Sequence, residues 1–419
     1  MKVGIIGLGD MGQLYARHLS QAGYEVVGCD LPQNFQTLKE QFKQTQVEIL
    51  ADGHQVAATS DWLLFAVEAE NLDEVVKTYG PSVKEQAIVS GQTSVKCPEV
   101  ESFENHLPPS TAIVPCHSLH AANVTPKGQS LVVFLHRGEP QHLQKTKDLL
   151  GAMQSKIIEL SGAEEHDRMT ADTQAVTHLG FLSMGTAWKN CQFFPWENAN
   201  YIGGIDNVKI LLTLRIYSGK SHVYAGLAKM NPFVPQQIRQ YTQSESELFK
   251  MIIKEERKSF VDRVLSSGQA VFGNLDDPKI LLDDDSLGEF SLSQGHLKVK
   301  PNSHLSLLAM VDTWAQLGVN PYKHLVVQTP LYRLRLGVAE ELFRNSELLH
   351  DSIQAALDDR TIRGDDLEFH SAVREWSSVI LNGSMAGYKA QFETTQAFFK
   401  DRLEDGRARS TELIQRLVR

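Results

Sequence analysis

The chain has 419 residues, of which 42% are hydrophobic and 22% charged, and its net charge is −10 at neutral pH. That length exceeds one compact core and implies two domains, while the acidic balance argues against a nucleic-acid surface and demands local Lys or Arg groups for any anionic ligand. No apolar run approaches the ~20 residues of a membrane span. The four cysteines show no paired spacing and the first strand begins at Lys2, so a cytoplasmic protein with reduced thiols and no membrane partner is expected.

The strand from Lys2 runs into Gly7-Leu8-Gly9-Asp10-Met11-Gly12, then into an apolar-periodic helix through Tyr15, Ala16, Leu19 and Ala22. A second strand starts at Glu25 and ends at Asp30. Strand, glycine turn, helix, strand and acid in that order form the dinucleotide-binding fingerprint. Gly7 permits the tight turn, Gly9 admits a pyrophosphate to the backbone, and Gly12 lets the helix pack on the strand. The first N–H groups of the helix then hold the phosphates. Asp30 stands where the adenosine ribose binds, and an acid there favours the free hydroxyls of NAD over a 2′-phosphate.

Strands continue to alternate with helices as far as residue 160: Trp62–Val67, Ala87–Gly91, Ala112–Pro115, Leu131–Leu135 and Lys156–Leu160 are the later strands. The alternation predicts a Rossmann-type, doubly wound, mostly parallel sheet over 1–162. Ligands of such sheets sit beyond the carboxyl ends of the strands, where Ser94 and His117 both fall. From 163 to 419 the apolar spacing is helical, with one long helix over 164–188 and others over 207–229, 236–265, 304–316, 331–343 and 365–401. Neither a strand nor an internal repeat is read there, and 276–285 reads as a solvated acidic loop. The expectation is an α/β chain whose second domain is all-helical.

His117 suits a proton acceptor because its charge changes near neutral pH. Ser94 would orient it or bond the same hydroxyl; the alternatives are a helix-capping serine and a loop histidine satisfied by its neighbours. His117 and His120 are spaced like a metal pair, but no third ligand stands near, so no metal is expected. Glu164-Glu165-His166-Asp167-Arg168 opens the long helix, and its acids read as helix-start charges. Arg215 lies in Ile210-Leu-Leu-Thr-Leu-Arg-Ile-Tyr217, where an arginine among aliphatics calls for a carboxylate from the protein or from a ligand. Lys209, Lys220 and Arg168 are further candidate cations.

Several of these stretches occur in an order that resembles the arogenate/prephenate dehydrogenase family, and its fungal branch above all. They are Gly7–Gly12, Gly91-Gln-Thr-Ser-Val-Lys96, His117-Ser-Leu-His120, Glu165-His-Asp-Arg168, Thr173–His178 and Leu214-Arg-Ile-Tyr217. The resemblance implies oxidative decarboxylation of prephenate, NADP as cofactor, and a homodimer built through the helical domain. It also implies that His117 takes the proton of the substrate hydroxyl, with Ser94 contacting both. Arg215, His178, Lys96 and His120 would then bind substrate. Ser118-Leu119 replaces the family's Pro-Met. Residue reading and resemblance disagree on the cofactor: Asp30 points to NAD, the fungal likeness to NADP. Two other readings are a β-hydroxyacid dehydrogenase, which shares the glycine pattern, and a nicotinamide-sensing protein without turnover.

Overall fold

The computed structural model describes residues 1–278, 281, 282, 292, 298–324 and 330–418. They form two compact units, residues 1–168 with 230–232, and 169–229 with 233–419. The first unit therefore runs six residues past the expected boundary at 162.

Its main sheet is six-stranded and wholly parallel, in the order β3-β2-β1-β4-β5-β6. The strands are β1 (Lys2–Ile6), β2 (Glu25–Cys29), β3 (Val47–Ile49), β4 (Trp62–Phe65), β5 (Ile88–Gly91) and β6 (Ala112–Ile113). Helices α1 (Asp10–Gln21), α2 (Phe35–Gln41), α3 (Gly53–Thr59), α4 (Leu72–Tyr79) and α5 (Cys97–His106) connect them. Both faces are covered. Val3, Ile5, Trp62 and Leu64 enter one apolar cluster with α1, whereas Ile6, Leu63 and Phe65 enter the other with α3 and α4. Strands buried on both sides read as continuous apolar runs, which is why they were legible.

One expectation fails in detail. Residues 116–118, 131–135 and 156–160 do not extend the main sheet. Strands β7 (Cys116–Ser118), β8 (Ser130–Val133) and β9 (Lys156–Glu159) form a separate three-stranded sheet, antiparallel between β7 and β8. Pro115 has no N–H to continue the β6 ladder, so the chain changes partners there. Helix α6 (Pro140–Leu150) links β8 to β9, and α7 (Ala163–Thr170) closes the unit's first segment.

In the second unit no strand occurs among the described residues. A π-helical stretch, Ala171–Ala175, joins α7 to α8 (Val176–Asn190), so the long predicted helix is continuous but locally widened at its middle. Then come α9 (Gly204–Tyr217), α10 (Ser221–Met230), α11 (Val234–Ile253) and α12 (Arg257–Phe272). After them lie α13 (Leu305–Leu317), α14 (Pro330–Arg344), α15 (Ser346–Asp358), α16 (Arg360–Asn382), α17 (Met385–Phe398) and α18 (Leu403–Val418). Helices α15 and α18 had no counterpart in the sequence reading, and most of the predicted acidic loop lies outside the described residues. The reading of no internal repeat also needs correction. Helices α9 and α14 start 126 residues apart, as do α11 and α16, while α12 and α17 end 126 apart. Periodicity in apolar positions alone hid this, because any two amphipathic helices share it. Among the described residues no helix is long and apolar enough to cross a membrane.

Candidate active site

The glycine turn has the geometry that a dinucleotide requires. Gly7 adopts φ +94, and a Cβ there would lie 2.6 Å from the Ala66 carbonyl oxygen. A Cβ on Gly12 would meet the Gly7 carbonyl oxygen at 1.9 Å, whereas Gly9 faces open space. Gly9 caps α1 without a side-chain hydrogen bond, so the first N–H groups of the helix are offered to a phosphate. Asp30 does not reach outward. Its Oδ2 accepts from the Leu8 N–H at 2.5 Å, and its Oδ1 from the Leu31 N–H at 2.7 Å and the Asn34 amide at 2.8 Å. The acid expected to select ribose hydroxyls is therefore engaged in bracing the turn.

Beyond β5 lies a buried polar knot. Lys96 is fully buried, and its Nζ donates to Glu99 Oε1 at 2.7 Å, the Cys116 carbonyl at 2.8 Å and the Gly91 carbonyl at 3.1 Å. Three protons meet three acceptors, so nothing is left for a ligand. Lys96, expected to contact substrate, instead ties the end of β5 to β7. Glu99 also accepts from the Thr93 N–H at 3.0 Å. Tyr15 of α1 meets Ser118 Oγ at 2.7 Å and Gln92 Oε1 at 3.2 Å, joining the cofactor helix to the strand that carries His117.

His117 sits in the middle of β7. Its Nδ1 lies 2.9 Å from His166 Nε2, and His166 Nδ1 lies 2.8 Å from Asp167 Oδ1. Asp167 further accepts from the N–H groups of Lys96 and Cys97, each at 2.7 Å, and so caps α5. Burial pushes the Asp167 carboxyl up, but hydrogen bonds from His166 and these two amides outweigh it, holding it below the ordinary range. Burial lowers His166, against the pull of Asp167. Burial also pushes His117 well below the usual 6.5, reinforced by repulsion from His166, Lys96 and His120.

The proton inventory then closes in one way. An ionised Asp167 only accepts, so His166 donates from Nδ1. A neutral His166 then accepts at Nε2, so His117 donates from Nδ1 and keeps its lone pair on Nε2. His117 is a neutral base with a fixed tautomer. Sequence reasoning assigned its orientation to Ser94 and read the acids of Glu164–Asp167 as helix-start charges. The tripeptide His166-Asp167-Arg168 was the available signal. Ser94 lies half-buried past β5 and neither caps α5 nor bonds His117; among the described residues its hydroxyl has no hydrogen-bond partner. His120 follows β7 in a loop, with Nδ1 3.0 Å from the Ala121 carbonyl and Nε2 unengaged among the described residues.

The second unit holds the other expected residues. His178 of α8 packs edge-on against the Tyr224 ring, with centroids 5.1 Å apart, and burial drives it well below 6.5. Arg215 finds no carboxylate among the described residues. Its Nη1 donates to Thr411 Oγ1 at 2.8 Å and Ser410 Oγ at 3.2 Å, both on α18. Lys209, by contrast, is spent on Asp206 at 2.7 Å and His304 at 2.9 Å. The residue that sequence reading missed is Arg335 of α14. It is 2% exposed, donates from Nη1 to Thr177 Oγ1 at 3.2 Å, and leaves Nε and Nη2 unpaired among the described residues. Burial lowers its pKa to about 10. Its position in an ordinary amphipathic pattern gave no warning.

The chain is 45% identical over 421 residues to "probable prephenate dehydrogenase [NADP(+)]" of Schizosaccharomyces pombe, covering 100% of this chain and 97% of that protein. It is also 45% identical over 425 residues to "prephenate dehydrogenase [NADP(+)]" of Saccharomyces cerevisiae, covering 99% and 94%. This chain belongs to the prephenate dehydrogenase family. Residues 175–419 match a family described as a 6-phosphogluconate dehydrogenase C-terminal domain, and residues 2–92 match NADP oxidoreductase coenzyme F420-dependent. A more distant relative is a "probable arogenate/prephenate dehydrogenase" of Methanocaldococcus jannaschii, 24% identical over 281 residues, covering 65% of this chain and 61% of that protein.

Proposed function

We propose that this chain catalyses the oxidative decarboxylation of prephenate to 4-hydroxyphenylpyruvate, with NADP as hydride acceptor, in tyrosine biosynthesis. The observation that carries this is the full-length match to two fungal prephenate dehydrogenases, in a chain whose His117 is wired as a neutral base. The residues present fit a dinucleotide: Gly7 turns, Gly9 stays open, and the start of α1 offers N–H groups. With Asp30 turned onto Leu8, the acid no longer projects toward a 2′-phosphate, which supports NADP.

Prephenate carries a ring carboxylate, a side-chain carboxylate and a ring hydroxyl. His117 Nε2 takes the hydroxyl proton, and Ser94, whose own hydroxyl is free, bonds the same oxygen. Bound NADP supplies the hydride acceptor. As the hydroxyl carbon becomes a carbonyl, the ring carboxylate leaves as carbon dioxide, and its electron pair flows through the ring to oxygen. The phenolate so formed recovers the proton from His117. Arg215 and His178 hold substrate, with His120 Nε2 as a further donor. A guanidinium buried without a carboxylate is costly by itself and gains most when an anionic ligand arrives.

The resemblance to enzymes paired through their helical domains extends this reading to a paired helical region. Four free cysteines suit a reducing, cytoplasmic setting. The deciding experiment adds prephenate and NADP to the purified protein and follows nicotinamide absorbance. Reduction is expected, and its absence overturns the reading.

A further inference from the structure

The spacing of 126 residues extends from helix ends to individual side chains. Thr177-His178-Leu179-Gly180-Phe181-Leu182-Ser183-Met184-Gly185-Thr186-Ala187-Trp188 aligns without gaps on Ser303-His304-Leu305-Ser306-Leu307-Leu308-Ala309-Met310-Val311-Asp312-Thr313-Trp314. His, two Leu, Met and Trp coincide, and Thr faces Ser. The same offset pairs Lys209 with Arg335 and Tyr217 with Phe343, on helices α9 and α14 that also correspond. Helices α8 to α12 and α13 to α17 are thus successive copies of one five-helix module.

The copies interleave. Helix α8 packs on α16 of the other copy, and α13 packs on α11, so exchanging the copies exchanges the two contacts. Helices α11 and α16 pack on each other, as do α9 and α14. The ligand-facing residues follow the same crossing. Arg335 of the second copy bonds Thr177, beside His178 of the first. Lys209 of the first copy bonds His304 of the second, at 2.9 Å. Two equivalent His–cation sites result, each completed across the copies.

They have diverged in charge. At the Lys209 site Asp206 lies 2.7 Å from the ammonium, and Asp365 and Asp366 line the adjoining cavity. The position equivalent to Asp206 in the other copy is Tyr332, and those equivalent to Asp365 and Asp366 are Arg239 and Gln240. The Arg335 site therefore has no acid in these places, and two buried N–H edges of its guanidinium stay unpaired among the described residues. Such a group, 2% exposed, is satisfied by a carboxylate brought in from outside.

We propose that Arg335 binds a carboxylate of the substrate and that the second helical copy supplies it, within the same chain, to the His178 site of the first. The paired helical region is on this view internal to one polypeptide. The twin site, with its cation neutralised by Asp206, serves as a structural ion pair. This rests on the prephenate reading, so wild-type turnover with prephenate and NADP is established first; failure there sinks that reading and leaves the duplication standing.

Two measurements then test the proposal. Arg335→Met should raise KM for prephenate tenfold or more with KM for NADP unchanged, and Arg335→Lys should recover part of the loss. A wild-type prephenate KM in a folded Arg335→Met enzyme overturns it. In the second, His178→Asn and Arg335→Met chains carrying different tags are co-expressed and the mixed species isolated. Completion within one chain predicts no recovery of activity above that of the two single variants. Recovery toward a quarter of the wild-type rate or beyond would show that the site is completed between chains.

Discussion

The His117 cluster and the Arg335 cluster treat buried polar groups in opposite ways. Around His117 nearly every donor has its acceptor: Asp167 serves His166 and two backbone amides, His166 serves His117, and Lys96 spends all three protons. One lone pair, on His117 Nε2, is left over. Around Arg335 and Arg215 the partners are hydroxyls, and the charges have no carboxylate among the described residues. A base is prepared by satisfying its surroundings, because orientation and tautomer must be set before the reaction. An anion site is prepared by leaving cations short of partners, because a complete internal ion pair would compete with the ligand.

The largest way to break this contrast is His117→Asn. Turnover should fall by roughly 10²–10⁴, the usual contribution of a general base, while NADP affinity persists. Unchanged kcat would remove His117 from the mechanism. Lys96→Met tests the closed side differently, since it leaves Glu99 buried without its counter-ion. A loss of about 3–5 kcal/mol is expected in chemical denaturation; a loss confined to KM for prephenate, in a protein of normal stability, would return Lys96 to the substrate contacts.

On the open side, Arg215→Ala should raise KM for prephenate about tenfold to a hundredfold, since a charge-assisted contact is worth roughly 1.5–3 kcal/mol, and KM for NADP should hold. Collapse of thermal stability with KM unchanged would make Arg215 a brace for α18. Acidification probes both clusters together. His117, His166, His178 and His304 are all held below the usual 6.5, chiefly by burial. Below pH 6.5 the unfolded chain takes up protons that the folded chain refuses, so stability is fully present above 6.5 and declines as pH falls through the window beneath it. Thermal midpoints from about pH 8 to 5 should drop only under 6.5, and the acid limb of kcat should also lie under 6.5. A limb centred at 6.5 would show that His117 is not buried in the working enzyme.

The smallest expected effect concerns Asp30. Its hydrogen bonds to Leu8, Leu31 and Asn34 make it a brace, so kcat/KM should favour NADP. A tenfold preference for NAD, about 1.4 kcal/mol, would mean that Asp30 swings out to the ribose.

Sequence alone settled the features governed by local rules. The glycine turn was legible because backbone conformation and close approach leave no substitute for glycine at Gly7 and Gly12. The parallel strands were legible because burial on two faces leaves an uninterrupted apolar run, and His117 because few residues titrate near neutrality. Tertiary structure decided the rest. The partner of His117 comes from 49 residues away, and that of Lys96 includes a carbonyl 20 residues on. Arg335 looks like any charged residue on a helix until packing buries it 158 residues from Thr177. Hydrogen bonds of that span leave no mark on local periodicity, since neither side chain changes its neighbours' pattern. Whether a cation is paired or open is therefore a property of the packed chain, not of the segment that carries it.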